Sequence, residues 1–559
     1  MENDDIAGIL KLTGQLLELH GANSFKSNAY IQAAFRIDRH SEPVLDMIKT
    51  NSLGKIEGLG SSMSAALKEI SETGTLTQLE KMISETPEGV LELLKIKGLG
   101  PKKVSLIWKE YDITSPGELL YACNENRLVE IKGFGAKTQE SIRKSIEYKI
   151  SNAGKLLFAR ATEAVAPVLE FLHKQAYTRC ELSGEMRRMS NVISQAEILL
   201  EGSDFRALQQ QIESSGCLHA IQETAPNCLQ GKTEEGFLIQ IELVTQDFEK
   251  RLFFTTGNEK HIEETGITPA HSFNSETEAY QLCGLPWIPP ELREGKGEIE
   301  EIRKNGLPDL VEYDNLKGIL HVHTTWSDGQ HSLEEMAMEA RTLGFQYLGI
   351  TDHSKSAFYA NGLSEERILA QHQEIDLLNT RLAPFKIFKG IEADILNDGN
   401  LDYAPEILRT FDFVIASVHS NLRMNEEKAM KRLMAAIENP FTTMLGHPTG
   451  RLLLAREAYP LDHKVLIDAC ARHNVIIELN ANPYRLDMDW EWIPYAMEKG
   501  VKISINPDAH RKQGYEDMHW GIASAKKGRL NAAFTFNALD VSSVQACFEN
   551  KKRKALSML

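Results

Sequence analysis

Eleven of the chain's seventeen histidines lie between residues 321 and 519. Most stand at one recurring place, where a short apolar run ends. His321 and His323 close GILHVH, and Asp328 follows in TTWSDGQ. His353 ends YLGITDH, Glu392 ends IFKGIE and His419 ends FVIASVH. His447 follows TMLG, and Asp508 and His510 end KISINPDAH. Imidazole and carboxylate together suit Zn²⁺, Mn²⁺ or Fe²⁺ rather than Mg²⁺ or Ca²⁺. Nine such groups exceed the needs of one tetrahedral ion. They suit two or three, with Glu392 as a bridge. Clustered divalent ions are apparatus for phosphoester hydrolysis, because they activate water and stabilise the attacking and leaving oxygens. One such histidine alone would read as a hydrogen-bonded core residue; nine at equivalent places do not. His331, His372, His463, His473 and His519 fall outside the pattern and read as ordinary surface or core residues. Asp352, beside His353, reads as an outer support for its neighbour.

The elements that must position these groups are legible around them. Residues 316–559 alternate short apolar strands (GILHVH, YLGITDH, IFKGIEADI, FVIASVH, TMLGHP, VIIELN, KISINPDAH) with helix-patterned segments. That alternation predicts parallel βα units. Seven units predict a barrel close to the (β/α)8 type, whose strand C-termini converge on one face.

Residues 1–150 read as helical, with apolar residues at helical spacing in IAGILKLTGQLLEL and GVLELLKI. Three segments repeat: IEGLGSSMSAALKEI (56–70), IKGLGPKKVSLIWKE (96–110) and IKGFGAKTQESIRKS (131–145). Each is Gly-x-Gly followed by an amphipathic helix, which leaves N–H groups free at a helix start, where phosphate is favoured. These segments resemble the helix-hairpin-helix motif, which grips the DNA backbone without reading sequence. The expected DNA contacts are Gly58, Gly60, Gly98, Gly100, Lys102, Lys103, Gly133, Gly135 and Lys137, with Lys97 and Lys132 nearby. The first repeat lacks lysines around its turn, and a purely structural hairpin is its competing reading.

Residues 151–285 read as mixed, with strands at ILLEG and FLIQIELV and a helix from Ala161 to His173. Residues 286–315 open with PWIPP and continue into a charged run, which predicts a linker. The net charge is −17 with a pI near 5.6. This argues against a generally basic nucleic-acid coat, yet leaves local phosphate contacts open. Seven scattered cysteines without a CxxC pair predict no disulfide framework and a reducing cytoplasm. The acidic start MENDDIAGIL lacks the marks of a signal peptide, and no apolar run has bilayer length.

HVHTTWSDG, TDHS, GIEADI, SVHS, GHPTGR and NPDAH resemble the PHP (polymerase and histidinol phosphatase) domain. The resemblance implies a distorted (β/α)7 barrel with a trinuclear site. Carried over, His321, His323, Glu392 and Asp508 would hold one metal. Glu392, His419 and His447 would hold the second, and Asp328, His353 and His510 the third. His321, His323, Glu392, His419, Asp508, His510 and Arg451 would be catalytic. Arg451, Tyr484 and Arg485 would contact phosphate or substrate. With hairpin repeats before it and this barrel after it, the whole chain is similar to bacterial family X DNA polymerases.

The family's polymerase core carries Gly-Ser, two arginines and Asp-x-Asp on a strand. Here ELSGEMRRMSNVISQAEILLE aligns through Gly184, Arg187 and Arg188. Glu185 then replaces the serine, Gln195 the first aspartate and Glu197 the second, with Glu242 expected as the third carboxylate. Gln195 removes a full charge from a hard-cation site. Glu185 adds a negative charge where a triphosphate would sit. The lengthened Glu197 and Glu242 would misplace the metals, and about 1 Å of misplacement costs roughly 100-fold in rate. The family's lyase lysine aligns with Ala66, with Lys68 on another helix face, so lyase activity is not expected.

The expected architecture is multidomain α/β. Residues 1–85 form a helical 8-kDa-like domain with the first hairpin, and 86–150 a fingers-like domain with the other two. Residues 151–285 form a degenerate α+β polymerase-X-like palm/thumb, 286–315 the linker and 316–559 the PHP barrel. The expected function is DNA repair or processing by a metal-dependent 3′→5′ exonuclease, with abasic-site endonuclease or 3′-phosphatase activity as additions. Two or three Mn²⁺ ions are expected, with Zn²⁺ or Fe²⁺ as alternatives, and polymerase activity absent or very weak. The partner is DNA with gapped, recessed or single-stranded 3′ ends, bound without sequence specificity. The protein is expected as a monomer, off the membrane, in a bacterial cytoplasm at the nucleoid. Competing readings are a histidinol-phosphatase-like small-molecule phosphatase, a non-enzymatic DNA scaffold, and an active polymerase using Glu197 and Glu242.

Overall fold

The amphipathic repeats of the first 153 residues fold as helices around one shared core. The computed structural model describes residues 1–40, 42–50, 52–56, 59–96, 98–124, 128–131, 133–175, 177–422 and 424–558. Gly58, Lys97 and Lys132 lie outside the described residues. The chain divides into two units, Met1–Ala153 and Gly154–Leu559. In the first, helices Asn3–Leu19 and Ser24–Asp38 lie so close at Gly14 that a Cβ there would meet Ile31 Cγ1 at 2.7 Å. Ser27 Oγ donates to Gly14 O at 2.8 Å across the same contact. Residues 1–85 and 86–150, expected as two domains, share one apolar cluster running from Ile6 to Ile146. Helix Pro101–Tyr111 is also tied to the first helix by Ser105 Oγ donating to Leu19 O at 2.8 Å.

The second unit begins with a five-stranded sheet of β1 Cys180–Ser183, β2 Ala196–Glu201, β3 His219–Ala225, β4 Cys228–Lys232 and β5 Leu238–Val244. Its order is β1-β2-β5-β4-β3, with only the β2–β5 pair parallel. Helix Phe158–His173 covers it through Ala161, Val165, Val168 and Leu172.

The segment 286–315, expected as a linker, is packed rather than tethering. Ile288, Leu292, Ile299 and Ile302 enter a core shared with Phe253 and Tyr280. Its charges are buried because they are paired. Arg293 is wholly buried and forks Glu276 at 2.5 and 3.0 Å, and Arg187 meets the same carboxylate at 2.7 and 2.9 Å. A buried charge is tolerated only with such partners.

The barrel follows: β6 Gly318–Ile319, β7 Tyr347–Ile350, β8 Lys386–Asp394, β9 Phe413–Ser417, β10 Met444–Leu445, β11 Ile476–Asn480 and β12 Ile503–Asn506. They run in sequence order, all parallel. A parallel bridge between Val322 and Ala509 joins the first strand's extension to the last. Both faces of these strands are covered, which is why they read as continuous apolar runs. The short β6 and β10 make the barrel irregular. Among the described residues no helix is long and apolar enough to cross a membrane.

The barrel packs on the preceding module through Lys527, at the end of helix Met518–Lys527. Its buried Nζ donates to Arg188 O at 2.9 Å and to the Glu294 carboxylate. Trp520 meets Phe158 edge-on at 5.3 Å between centroids.

Burial opposes ionisation of Glu276, but the hydrogen bonds and charges of Arg293 and Arg187 outweigh it and hold its carboxyl at about 2. A depressed folded-state value stabilises the fold above the unfolded value of 4.5, and that contribution fades as pH falls from there toward 2. Glu276→Gln should cost the Gly154–Leu559 unit about 3–5 kcal/mol in denaturant titration and flatten its acid dependence over this window. An unchanged acid limb in the variant would contradict the assignment.

Candidate functional site

The polar groups at the barrel strand ends converge on one buried pocket. Glu392 sits at its centre, fully buried near the end of β8. Its Oε1 lies 3.0 Å from His447 Nε2, 3.1 Å from His419 Nε2 and 3.4 Å from His321 Nε2. Its Oε2 lies 2.9 Å from His353 Nδ1 and 3.6 Å from His323 Nε2. Asp508 Oδ1 stands 3.0 Å from His323 Nε2 and 3.5 Å from His321 Nε2. Asp328 Oδ1 stands 3.4 Å from His510 Nε2 and 3.7 Å from His353 Nε2. All nine residues expected from the sequence are therefore brought together.

Three overlapping groups have ligand atoms within 4.8 Å of one another. They are His321/His323/Asp508, His353/Glu392/His419 and His323/Asp328/His353/His510. The donor set fits divalent cations on a second ground. His321 Nε2, both ring nitrogens of His323, and Glu392 Oε2 are buried without a hydrogen bond. Buried polar atoms normally have partners, and these face other ligand atoms of the cluster instead.

Further residues hold these groups in place, and the sequence reading missed most of them. Glu478, wholly buried in β11, takes a bond from His321 Nδ1 at 2.6 Å, which turns Nε2 toward Asp508. It also accepts from His447 N at 3.1 Å and from Asn480 and Asn506. Asp394 bonds His419 Nδ1 at 2.5 Å. Carboxylates behind ligating imidazoles fix tautomer and ring orientation. Both left signals: a lone charge inside the apolar run VIIELN, and an Asp two residues past Glu392 on the same strand face. Asp352, expected to support its neighbour His353, instead supports the loop before Asp328. It accepts from Thr324 N, Thr324 Oγ1, Ser327 N, Ser327 Oγ and Gln371 Nε2, shaping the turn that carries Asp328. His372, His463 and His519 pack on aromatic rings outside the cluster.

The three residues expected to contact substrate separate in role. Arg451 does not face the cluster. Its guanidinium donates to the carbonyls of Arg485 and Leu486 and to Asp489, clamping the 485–489 loop. Arg485 does face it, with Nε 3.7 Å from Asp508 Oδ2. Tyr484 is exposed on the rim.

The polymerase-like pocket is satisfied from within. Gln195 Nε2 donates to Glu197 Oε1 at 3.0 Å, and Glu185 accepts from Ser194 N at 2.6 Å. The residue directly across from Glu197 is Gln240, whereas Glu242 stands opposite Leu199 and is forked by Arg251 at 2.7 Å. An alignment through FLIQIELV cannot separate these positions, because both lie on one strand face. Arg187 is held by Glu276, and Arg188 by Glu294 and Thr256 O. Among the described residues, no metal-holding group of His, Cys, Asp or Glu occurs in this pocket.

In the first unit, Gly60 and Gly100 are the N-caps of helices Ser61–Thr73 and Pro101–Tyr111, and Gly135 immediately precedes helix Ala136–Ser151. Gly98 and Gly133 have φ near +93° and +95°, which glycine adopts freely. These glycines and Lys102 and Lys137 are exposed. Lys103 lies over the Phe134 ring at 5.3 Å, joining the second and third turns. Ala66 is buried in the core, while Lys68 is exposed.

Comparison with known proteins agrees with these modules. A helix-hairpin-helix domain matches residues 1–76, a SAM-like helix-hairpin-helix tandem residues 90–147 and a PHP domain residues 320–504. The DNA polymerase/3′-5′ exonuclease PolX of Bacillus subtilis (strain 168) is 33% identical over 98% of this chain and 99% of its own. A probable phosphatase of Thermoanaerobacter sp. (strain X514) is 27% identical over 42% of this chain and 95% of its own. A probable phosphatase of Vibrio atlanticus (strain LGP32) is 30% identical over 35% of this chain and 78% of its own. With a relative 33% identical along nearly its whole length, and helix-hairpin-helix and PHP domains in one order, the chain belongs to the PolX family.

Proposed function

We propose that this protein is a metal-dependent 3′→5′ DNA exonuclease whose chemistry resides in the PHP barrel, on a polymerase frame that no longer synthesises. One observation carries the reading: the nine expected ligands converge on one buried pocket, while the polymerase pocket has amides at Gln195 and Gln240 and both its arginines engaged. His321, His323, Asp328, His353, Glu392, His419, His447, Asp508 and His510 would hold two or three divalent ions, Mn²⁺ foremost and Zn²⁺ or Fe²⁺ as alternatives. Such ions supply a nucleophilic water at neutral pH and charge to neutralise the phosphate.

The chain's own residues do the rest. Glu478 and Asp394 hold the rings of His321 and His419 in one orientation. Arg485 offers a guanidinium to the scissile phosphate, and Arg451 keeps its loop rigid. The hairpin turns, with Lys102, Lys103 and Lys137, hold the DNA backbone without reading bases. Such an enzyme would act on recessed, gapped or single-stranded 3′ ends, as a monomer, in the cytoplasm at the nucleoid. A small-molecule phosphatase would use the barrel alone, and residues 1–315 would have no task. The phosphatase relatives match 42% of this chain or less.

Removing one ligand should abolish the reaction. Asp508→Ala or His321→Ala should slow Mn²⁺-dependent shortening of a 5′-labelled oligonucleotide by roughly three orders of magnitude or more. The circular dichroism spectrum should stay native. Full activity in either variant would overturn the proposal.

Metal uptake should also expel protons. Burial disfavours a charged His419, but Glu392 and Asp394 outweigh it and push the ring up to about 10. Burial likewise opposes charge on His510, yet Asp328 and Asp508 push it up to about 9. Both rings are thus protonated near neutral pH until a cation replaces the proton. Burial opposes charge on His321 too, but Glu478, Asp508 and Glu392 raise it well above the usual range, so calorimetry of Mn²⁺ binding at about pH 7.5 in buffers of different ionisation enthalpy should show roughly three protons released, with affinity rising as pH rises. Proton-neutral binding would contradict this account.

A further inference from the structure

The loop that follows β7 begins on His353 and carries the most exposed large apolar side chain among the described residues, Phe358, at 89%. The loop itself is fixed. Leu363 N donates to His353 O at 2.9 Å and Ser354 N to Glu392 O at 3.1 Å, closing its base on two cluster residues. Ser356 N donates to Asp402 at 2.9 Å and Lys355 N to Tyr403 Oη at 3.1 Å. Arg367 clips the far side through Asn361 O at 2.8 Å. A Cβ at residue 362 would fall 1.9 Å from Ser354 O, so only Gly362 permits this closure. Ala357 and Ala360 are buried on either side of the tip. A rigid, doubly anchored loop therefore presents one phenyl ring to solvent.

A single exposed aromatic is common on protein surfaces. Its setting distinguishes this one. Tyr484, 55% exposed, rises from the loop after β11, next to Arg485. In the barrel order β7 and β11 are separated by β8, β9 and β10 on one side, and by β6 and β12 on the other. Both loops leave the C-terminal ends of parallel strands. The two loops thus leave opposite sides of one mouth, with the carboxylate–imidazole cluster at its base.

We propose that Phe358 and Tyr484 form an aromatic pair that stacks on the nucleobases flanking the scissile phosphate, drawing an unpaired 3′ end over the cluster. This deepens the nuclease reading and rests on it. Base stacking suits an enzyme without sequence preference, since every base offers a π face. A pre-fixed loop loses little conformational freedom on binding. Arg485 supplies the charge for the phosphate between the two bases.

The test compares two probes with Mn²⁺-loaded protein: a single-stranded oligonucleotide, and an end-labelled oligomer of abasic tetrahydrofuran phosphodiesters, which has the phosphodiester but no base or other aromatic ring. Phe358→Ala should lower kcat/KM on the oligonucleotide about 10-fold or more, chiefly through KM, and leave the base-free ester unchanged. Phe358→Trp should restore the oligonucleotide rate. In EDTA, an oligonucleotide ending in 2-aminopurine should be quenched by the wild type and less by Phe358→Ala. Equal loss on both probes would mark Phe358 as structural and overturn the proposal. So would undiminished oligonucleotide cleavage by Phe358→Ala. A wild type that cleaves the ester but no DNA would overturn the nuclease reading itself, and the base-stacking role with it.

Discussion

A carboxylate taken wholly out of water must be met by positive charge. Glu392 is such a group, and five imidazoles approach it within 3.6 Å from four different segments. The barrel order makes that convergence possible, because only a parallel closed sheet brings so many strand ends to one point. Opposing demands follow from it. Burial presses every ring toward neutrality, yet the carboxylates draw protons onto His321 and His419, while His323 and His447 are driven the other way. Divalent cations would settle that imbalance more completely than protons do. The supports behind the rings, Glu478 and Asp394, have meaning only relative to this centre.

The other pocket shows the reverse condition. Where a nucleotidyl-transfer site would leave carboxylates and arginines open to metal and triphosphate, this one closes on itself. Glu197 takes the Gln195 amide, Glu242 takes Arg251, and Glu276 takes Arg187 and Arg293 together. These pairings stabilise the module and leave its charges no outward partner. Lys527 extends the same network into the barrel by binding Arg188 O and Glu294. The module also gives the barrel a wall.

The parts of this arrangement legible in the sequence are those where a residue's type conflicts with its local pattern. A histidine or carboxylate closing an apolar run has no local reason to be there, so all nine cluster residues and the seven strands could be read directly. Three things could not. The register of β2 against β5, which sets Gln240 directly across from Glu197, depends on a partner strand. The partners of Arg451 are main-chain carbonyls, which no side-chain pattern reveals. The segment 286–315 reads as a tether because its charges look solvated, yet Arg293 and Glu298 are buried by pairing with distant Glu276 and His261. In each case the missing information is a long-range pairing.

The central claim is that one chain holds a working hydrolytic centre and a silent synthetic one. A recessed, 5′-labelled primer–template tests both in a single gel. One reaction receives Mn²⁺ without nucleotides, others receive Mn²⁺ or Mg²⁺ with all four, and one receives EDTA. The account predicts a primer that shortens in Mn²⁺, is untouched in EDTA and is extended in no lane. Extension in any lane would mean that Gln195, Glu197 and Gln240 still assemble a metal site, contradicting the reading of the polymerase pocket; an intact primer in Mn²⁺ would contradict the reading of the barrel.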